Sequence, residues 1–238
     1  MTATPRRRKR GERAKTPITR EDIVDVAFRM IDERGGEAFS MRAVATEMGV
    51  FPATLYWHVG DRPRLLGLVE EKWAGAITAP DEIGDFRSWV RELARRYRAR
   101  ARQHPNVARL VIVERVRNVD TLVLPDAVIG RLSALGLGDD LVHAYNAFVG
   151  AVQGFIVLEL ALIAEPDADS TKAAEAEIRG LDADKFPHIT RHFDRLADKA
   201  LSIRWTDGAS APLDASFDFL LDLLLDGLEA RLRAAPDG

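Results

Sequence analysis

The 238-residue sequence contains no cysteine. Disulfides, thiolate zinc sites and a thiol nucleophile are therefore excluded together, and a reducing cytoplasm is the compartment that fits. It also lacks G-x-S-x-G, a phosphate-cradling glycine loop and H-E-x-x-H, so no common catalytic constellation is in view. Of the five histidines, only His188 and His192 have a metal-ligand spacing. No third ligand accompanies them, and the pair reads as a solvated helix face. The expectation is a protein without metal, cofactor or enzymatic activity. No uncharged apolar run reaches the roughly 18–20 residues of a membrane span. The longest, LVHAYNAFVGAVQGFIVLELALI, is broken by His143, Asn146, Gln153 and Glu159 and reads as a buried helix. No apolar stretch follows the basic start, which argues against a secretory signal.

Hydrophobic residues are 47% and charged residues 30% of the chain, enough for a substantial core. The net charge of −3 hides an asymmetry. Residues 1–17 hold seven basic side chains against Glu12, which leaves an acidic remainder. Such an arm is either a solvated tail or an electrostatic contact for nucleic-acid phosphates.

Helical periodicity runs almost throughout, with no strand-like alternation and no solenoid repeat. The expected fold is all-α. A first helix starts at Thr19, where T-R-E-D forms a capping box, and ends at Gly35 and Gly36. Ser40 caps a second helix that Gly49 stops. A third runs from about Pro52 to His58, and Asp61 caps a fourth. Further helices are expected at about 85–103, 107–117, 125–135, 139–164, 186–202 and 213–234. The acidic stretch 165–184 reads as a mobile connection with at most one helical turn.

The second and third helices carry a recognisable spacing. Ala45 is small where two helices cross, Gly49 turns the chain, and Val50 and Leu55 fill the wedge over Val44 and Met48. This is the pattern of a helix-turn-helix that reads DNA. With Leu55 inward, Thr54, Tyr56 and His58 are expected to face phosphates and base edges. Trp57 is expected to pack partly against the first and fourth helices.

These residues carry a family resemblance. T-L-Y-W-H-V, T-R-E-D-I-V-D-V-A-F and S-M-R-A-V-A-T-E-M-G-V resemble the TetR family of bacterial repressors, particularly its tetracycline-repressor branch. G-F-I-V-L-E near Glu159 and F-D-F-L-L-D-L-L-L-D-G-L-E-A-R-L from Phe217 are similar to that branch's dimer-forming helices. The resemblance implies a disordered basic arm at 1–17, a DNA-binding unit at 18–64 and an effector-binding and dimerisation unit at 65–238. Arg42 would reach a base, Thr54 a base edge or thymine methyl, Tyr56 and His58 phosphates, and Arg62 another phosphate. Pro52 and Ala53 would face the bases. Phe51 departs from the family's small or acidic capping residue. It cannot cap, and is left to meet thymine methyls or staple the helix.

The implied partners are double-stranded operator DNA, a second copy of the chain and a small-molecule effector, with no membrane. The excess apolar surface of the helices at 139–164 and 213–234 suggests a four-helix dimer interface using Phe148, Val152, Phe155, Phe217, Leu221, Leu224 and Leu228. Asp218, Asp222 and Asp226 form one polar stripe. Tyr97, Asn146, Gln153 and Glu159 are the candidate effector contacts, each equally open to a structural role. Glu159 matches a metal-linked acidic position in tetracycline repressors. The histidines that should accompany it are missing, so a magnesium–tetracycline effector is not expected. The rival reading is a constitutive or architectural DNA-binding protein with no effector.

The folded DNA-binding stretch, residues 18–60, is itself acidic, with four arginines against seven carboxylates. Deleting residues 1–15 is therefore expected to weaken binding at most sequences and flatten the dependence of log K on log salt. A salt titration by fluorescence anisotropy that gives an unchanged slope would assign the arm no role.

Overall fold

The computed structural model describes residues 18–114, 119–161, 168–206 and 210–234. The basic arm, the expected helical residues 115–117 and 162–164, and residues 165–167 of the acidic connection lie outside them. Among the described residues the chain forms eleven α-helices, α1 (Arg20–Arg34), α2 (Met41–Met48), α3 (Pro52–Val59), α4 (Arg62–Ala74), α5 (Phe86–Gln103), α6 (Pro105–Glu114), α7 (Val123–Ser133), α8 (Leu141–Glu159), α9 (Ala168–Arg179), α10 (Pro187–Leu196) and α11 (Asp214–Ala234). The all-α expectation holds.

The first three caps are those read from the sequence. Thr19 and Asp22 exchange side-chain-to-backbone bonds of 3.1 and 2.9 Å. Ser40 Oγ accepts from Ala43 N at 3.1 Å, and Asp61 Oδ1 from Arg64 N at 2.9 Å. Each satisfies an amide that the first helical turn leaves without a partner. Several boundaries differ. α7 runs about two residues earlier than expected, and α8 begins at Leu141 and ends at Glu159, short of the expected 139–164. α6 begins at Pro105, because a proline at the first helical position loses no bond. α10 stops at Leu196, where Asp198 adopts φ 54° and its carboxylate accepts from the amides of Trp205 and Thr206 at 3.0 and 2.8 Å. The chain is thereby folded back on itself.

The acidic connection also differs from expectation. It contains the twelve-residue α9, whose A-A-E-A-E-I-R core is rich in strong helix formers. Arg179 pairs with Glu175 at 2.9 Å and lies 4.4 Å from the Phe193 ring centroid, which docks α9 on α10.

Buried apolar side chains form one cluster from Ile23 in α1 to Leu228 in α11. α1 packs against both α4 and α6, and α4 against α6, so the first four helices are joined to the rest without a linker. Polar ties reinforce the junction. His104 Nδ1 lies 2.8 Å from Asp32 Oδ2, Asn106 Nδ2 donates to the Asp32 carbonyl at 2.8 Å, and Lys72 pairs with Asp25 at 2.6 Å. Gly36 lies close by, and a Cβ there would sit 2.9 Å from Leu110 Cδ1, so a larger residue would have to displace that leucine tip.

The Asp218–Asp222–Asp226 stripe faces inward on α5. Arg95 pairs with Asp218 at 2.9 Å, Arg91 with Asp222, and Arg87 with Asp222, Asp226 and Glu229. The register runs in opposite directions on the two helices, so α5 and α11 pack antiparallel. At the end of this ladder Arg98 is buried. Its Nε and one terminal nitrogen donate to Glu159 at 2.8 and 2.6 Å, and its other terminal nitrogen to Asp214 at 2.7 Å. Glu159 is fully buried and also accepts from Leu213 N at 2.7 Å. Burial pushes the Arg98 pKa down, but the bonds to Glu159 and Asp214 outweigh it and leave a net rise.

Removing Glu159 would leave that guanidinium buried without its bidentate partner. Glu159→Ala is expected to cost about 3–5 kcal/mol, read by urea unfolding at one fixed protein concentration. A loss under about 1 kcal/mol would mean that water replaces the carboxylate.

Candidate functional site

The turn between α2 and α3 is built by Gly49, which sits at φ 69°, ψ 30°, the left-handed conformation that glycine adopts without a Cβ penalty. Val50 N then donates to the Ala45 carbonyl at 2.9 Å. Val44, Ala45, Leu55 and Val59 are all buried, which seats α3 across α2. A residue larger than Ala45 would hold the helices apart.

This seat decides what α3 shows to solvent. At about 100° per residue, the side opposite Leu55 and Val59 is occupied by Ala53 and Trp57. Trp57 is 83% exposed, which corrects the expectation that it packs against α1 and α4. It makes an edge contact with His58 at 4.6 Å and stands at the centre of the outward face. Tyr56 is 53% exposed on one flank, while Thr54 and His58, four residues apart, are half-buried together on the other. The polar tips are therefore spread around the helix rather than gathered in a narrow arc. Phe51, Pro52 and Ala53 are exposed at the leading end, and Phe51 makes no capping bond. Arg42 is exposed at the front of α2. Arg62 is exposed too, its guanidinium 5.3 Å from the buried Phe39 ring centroid. All eight sequence-selected positions thus lie around α3 or beside it, and Trp57 joins them. The signal for Trp57 was available, since two residues beyond Leu55 on a helix is nearly diametrically opposite.

A second site lies between α5, α7 and α8. It is an apolar cavity of about 130 Å³, with Phe86, Trp89, Tyr97, Tyr145 and Phe148 among its walls. Among the described residues no charged side chain lines it. Of the candidate effector contacts, Tyr97 and Gln153 line the cavity, and Gln153 Nε2 donates to the Tyr97 hydroxyl at 3.1 Å. Burial pushes the Tyr97 pKa up to about 12, so it stays a neutral hydroxyl. Asn146 is exposed on α8, and Glu159 is consumed by Arg98. Neither lines this cavity. His188 and His192 are exposed on α10.

The apolar excess of α8 and α11 divides between two roles. Phe148, Phe217, Leu221 and Leu228 are buried in the chain's own core and cannot also form an outer face. Phe155 is half-buried with its ring 5.4 Å from Phe217, Val152 lines the cavity, and Leu224 is half-buried. The exposed apolar positions are instead Val142 and Leu158 on α8, and Phe219 and Leu223 on α11. The segment Gly138–Glu159 is long and apolar enough to cross a bilayer, with a mean hydropathy of 1.5. It is not the buried helix expected from sequence, because only 11% of its most apolar window is buried. Its inner face packs on the cavity and its outer face is open.

With both sites in view, the comparison with known proteins is decisive. Residues 23–66 match the model for bacterial regulatory proteins of the tetR family, and residues 79–232 the model for the tetracyclin repressor-like C-terminal domain. The chain belongs to the TetR family. This TetR-family protein is a transcriptional regulator. It is similar to an HTH-type transcriptional regulator of Saccharopolyspora erythraea, 26% identical over 79% of this chain and 80% of that one. An HTH-type transcriptional repressor of Mycobacterium tuberculosis is 24% identical over 95% and 85%. The solved structure of Streptomyces coelicolor ActR in complex with (S)-DNPA superposes with a TM-score of 0.69 at 25% identity, covering 91% of this chain and all of that one.

Glu70 on α4 does not line the cavity but lies close enough to Tyr97, one of its walls, to act on it electrostatically. Thr121 Oγ1 lies 3.5 Å from one of its carboxylate oxygens, and the other is buried with no partner among the described residues. Burial raises its pKa from 4.5 to about 7. A raised folded pKa favours the fold at low pH, fully below about 4.5, and that advantage is lost as pH rises through about 7. Glu70→Gln is therefore expected to gain thermal stability relative to wild type between pH 4.5 and 8. A melting-temperature difference that does not change with pH would mean Glu70 titrates normally.

Proposed function

We propose that the protein is an effector-responsive repressor that binds a near-palindromic operator as a homodimer and is released by a small molecule held between α5, α7 and α8. The observation that carries this reading is mechanical. α3, which bears the exposed side chains, leads through Asp61 directly into α4, and α4 packs with α6 beside the cavity-bearing bundle. A change in the bundle that tilts α4 moves α3. A coupling of about 1–3 kcal/mol is enough to change operator affinity some 5–150-fold.

On this reading α3 enters the major groove, with Tyr56, Trp57 and His58 near phosphates and Phe51, Pro52, Ala53 and Thr54 toward the bases. Arg42 reaches a base, and Arg62 neutralises a phosphate. One short helix covers few base pairs, and a two-fold dimer places two copies about 34–36 Å apart. Leu158 on α8, with Phe219 and Leu223 four residues apart on α11, supplies the exposed apolar surface for that pairing. On α8 the small residues Ala147, Gly150 and Gly154 are exposed, and no atom lies within 4 Å of a Cβ built at either glycine, so a partner helix has room to approach. The cavity's uncharged, aromatic lining fits a neutral aromatic effector, with Tyr97 and Gln153 as its polar contacts. The buried indole N–H groups of Trp73 and Trp89, unpartnered among the described residues, are further donors nearby. A relative crystallised with a small molecule supports an effector of this general kind. A protein that acts on an operator works beside the chromosome, in the bacterial cytoplasm.

The test combines assembly with binding. The wild type is expected to run as a dimer and to prefer DNA upstream of its own gene over random duplex, with a neutral aromatic compound lowering that affinity. Phe219→Arg with Leu223→Glu is expected to give a monomer that retains its helical circular dichroism and loses the preference by at least about 100-fold. A wild-type monomer that binds the operator alone would overturn the dimer. Equal affinity for all DNA, unaffected by any compound, would favour the architectural reading.

A further inference from the structure

α3 lacks the side chains with which proteins usually read base edges. From Phe51 to Val59 there is no Arg, Lys, Asn, Gln, Asp or Glu. The bidentate pairings to guanine and adenine, and the acidic contact to cytosine, are unavailable from this helix. α2 supplies one long donor, Arg42, and its Thr46 hydroxyl is already committed to the Arg42 carbonyl at 2.9 Å.

What the leading end of α3 offers instead is apolar. Phe51 is 83% exposed, and Pro52 and Ala53 are exposed beside it. Phe51 caps nothing and joins no part of the core. That also removes its alternative use as a staple between helices. An exposed phenyl group at a helix tip gains free energy from any apolar surface that covers it. The major groove has one such surface, the C5-methyl group of thymine.

We propose that Phe51, with Ala53 behind it, reads thymine methyl groups, so that the half-site is specified largely by where its T·A pairs place their methyls. Arg42 adds one hydrogen-bonded base to this. The inference rests on the operator-binding reading above and names the chemistry of that contact. Covering one methyl is worth about fourfold in affinity. Two symmetric half-sites raise that to about 16-fold for one position per half-site.

The experiment separates the methyl from the rest of the base. The full-length protein selects its operator from random duplexes, and the selected duplex is rebuilt with deoxyuridine for thymidine at symmetric positions, one pair at a time. Every hydrogen-bonding group is preserved and only the methyls are lost. At one position pair the wild type is expected to bind the uridine duplex about 16-fold more weakly. Phe51→Ala should bind both duplexes alike, near the wild-type affinity for the uridine form. Phe51→Gln, whose amide can pair with adenine, should select a different base at that position, showing that the helix is still presented. If the wild type ignores the substitution, or Phe51→Ala keeps the full penalty, the proposal is overturned while the operator-binding reading stands. A selection that enriches no sequence overturns that reading itself, and the proposal with it.

Discussion

Leu55 and Val59, buried with Ala45 and Val44 where α3 crosses α2, decide which side chains α3 exposes. Once those two side chains are buried, the helical period leaves no freedom. Ala53 and Trp57 must point outward, and Thr54, Tyr56 and His58 take the flanks. Gly49 makes the seat reachable, because its left-handed backbone helps bring α3 across α2 within the three residues 49–51. The chemistry on the outer side of α3 is thus fixed by apolar contacts on its inner side.

Much of this was legible in the chain. The caps at Thr19, Ser40 and Asp61 are local signals, each depending on residues three positions apart. The wedge at Ala45, Gly49 and Leu55 is equally local. Trp57 was misjudged because an aromatic residue invites burial, although its angular distance from Leu55 argued the other way. The failures on α8 and α11 have a different cause. A continuous apolar surface does not say which side meets the chain's own core, and that depends on neighbours distant in sequence. Phe217 and Phe219 look alike in the sequence, yet one is fully buried and the other 65% exposed.

Long-range charge pairing was partly visible. Arg87, Arg91 and Arg95 recur every four residues, as do Asp218, Asp222 and Asp226. Two such ladders of opposite sign suggest each other, and the fold zips them together. Glu159 was legible as an anomaly in an apolar helix, but its partner Arg98 lies 61 positions away, beyond the reach of any local pattern. The same separation gives the pair its structural use. It pins α5, α8 and the start of α11 at one point, and the cavity wall on α5 and α8 inherits that fixed geometry.

Gly150 and Gly154 lie inside α8, where each costs about 1 kcal/mol of helix stability relative to alanine. Nothing in the folded chain would clash with a methyl group at either place. An isolated protomer would be sturdier with both filled. Their emptiness is stability that the single chain forgoes along the one side of α8 that its own core leaves uncovered.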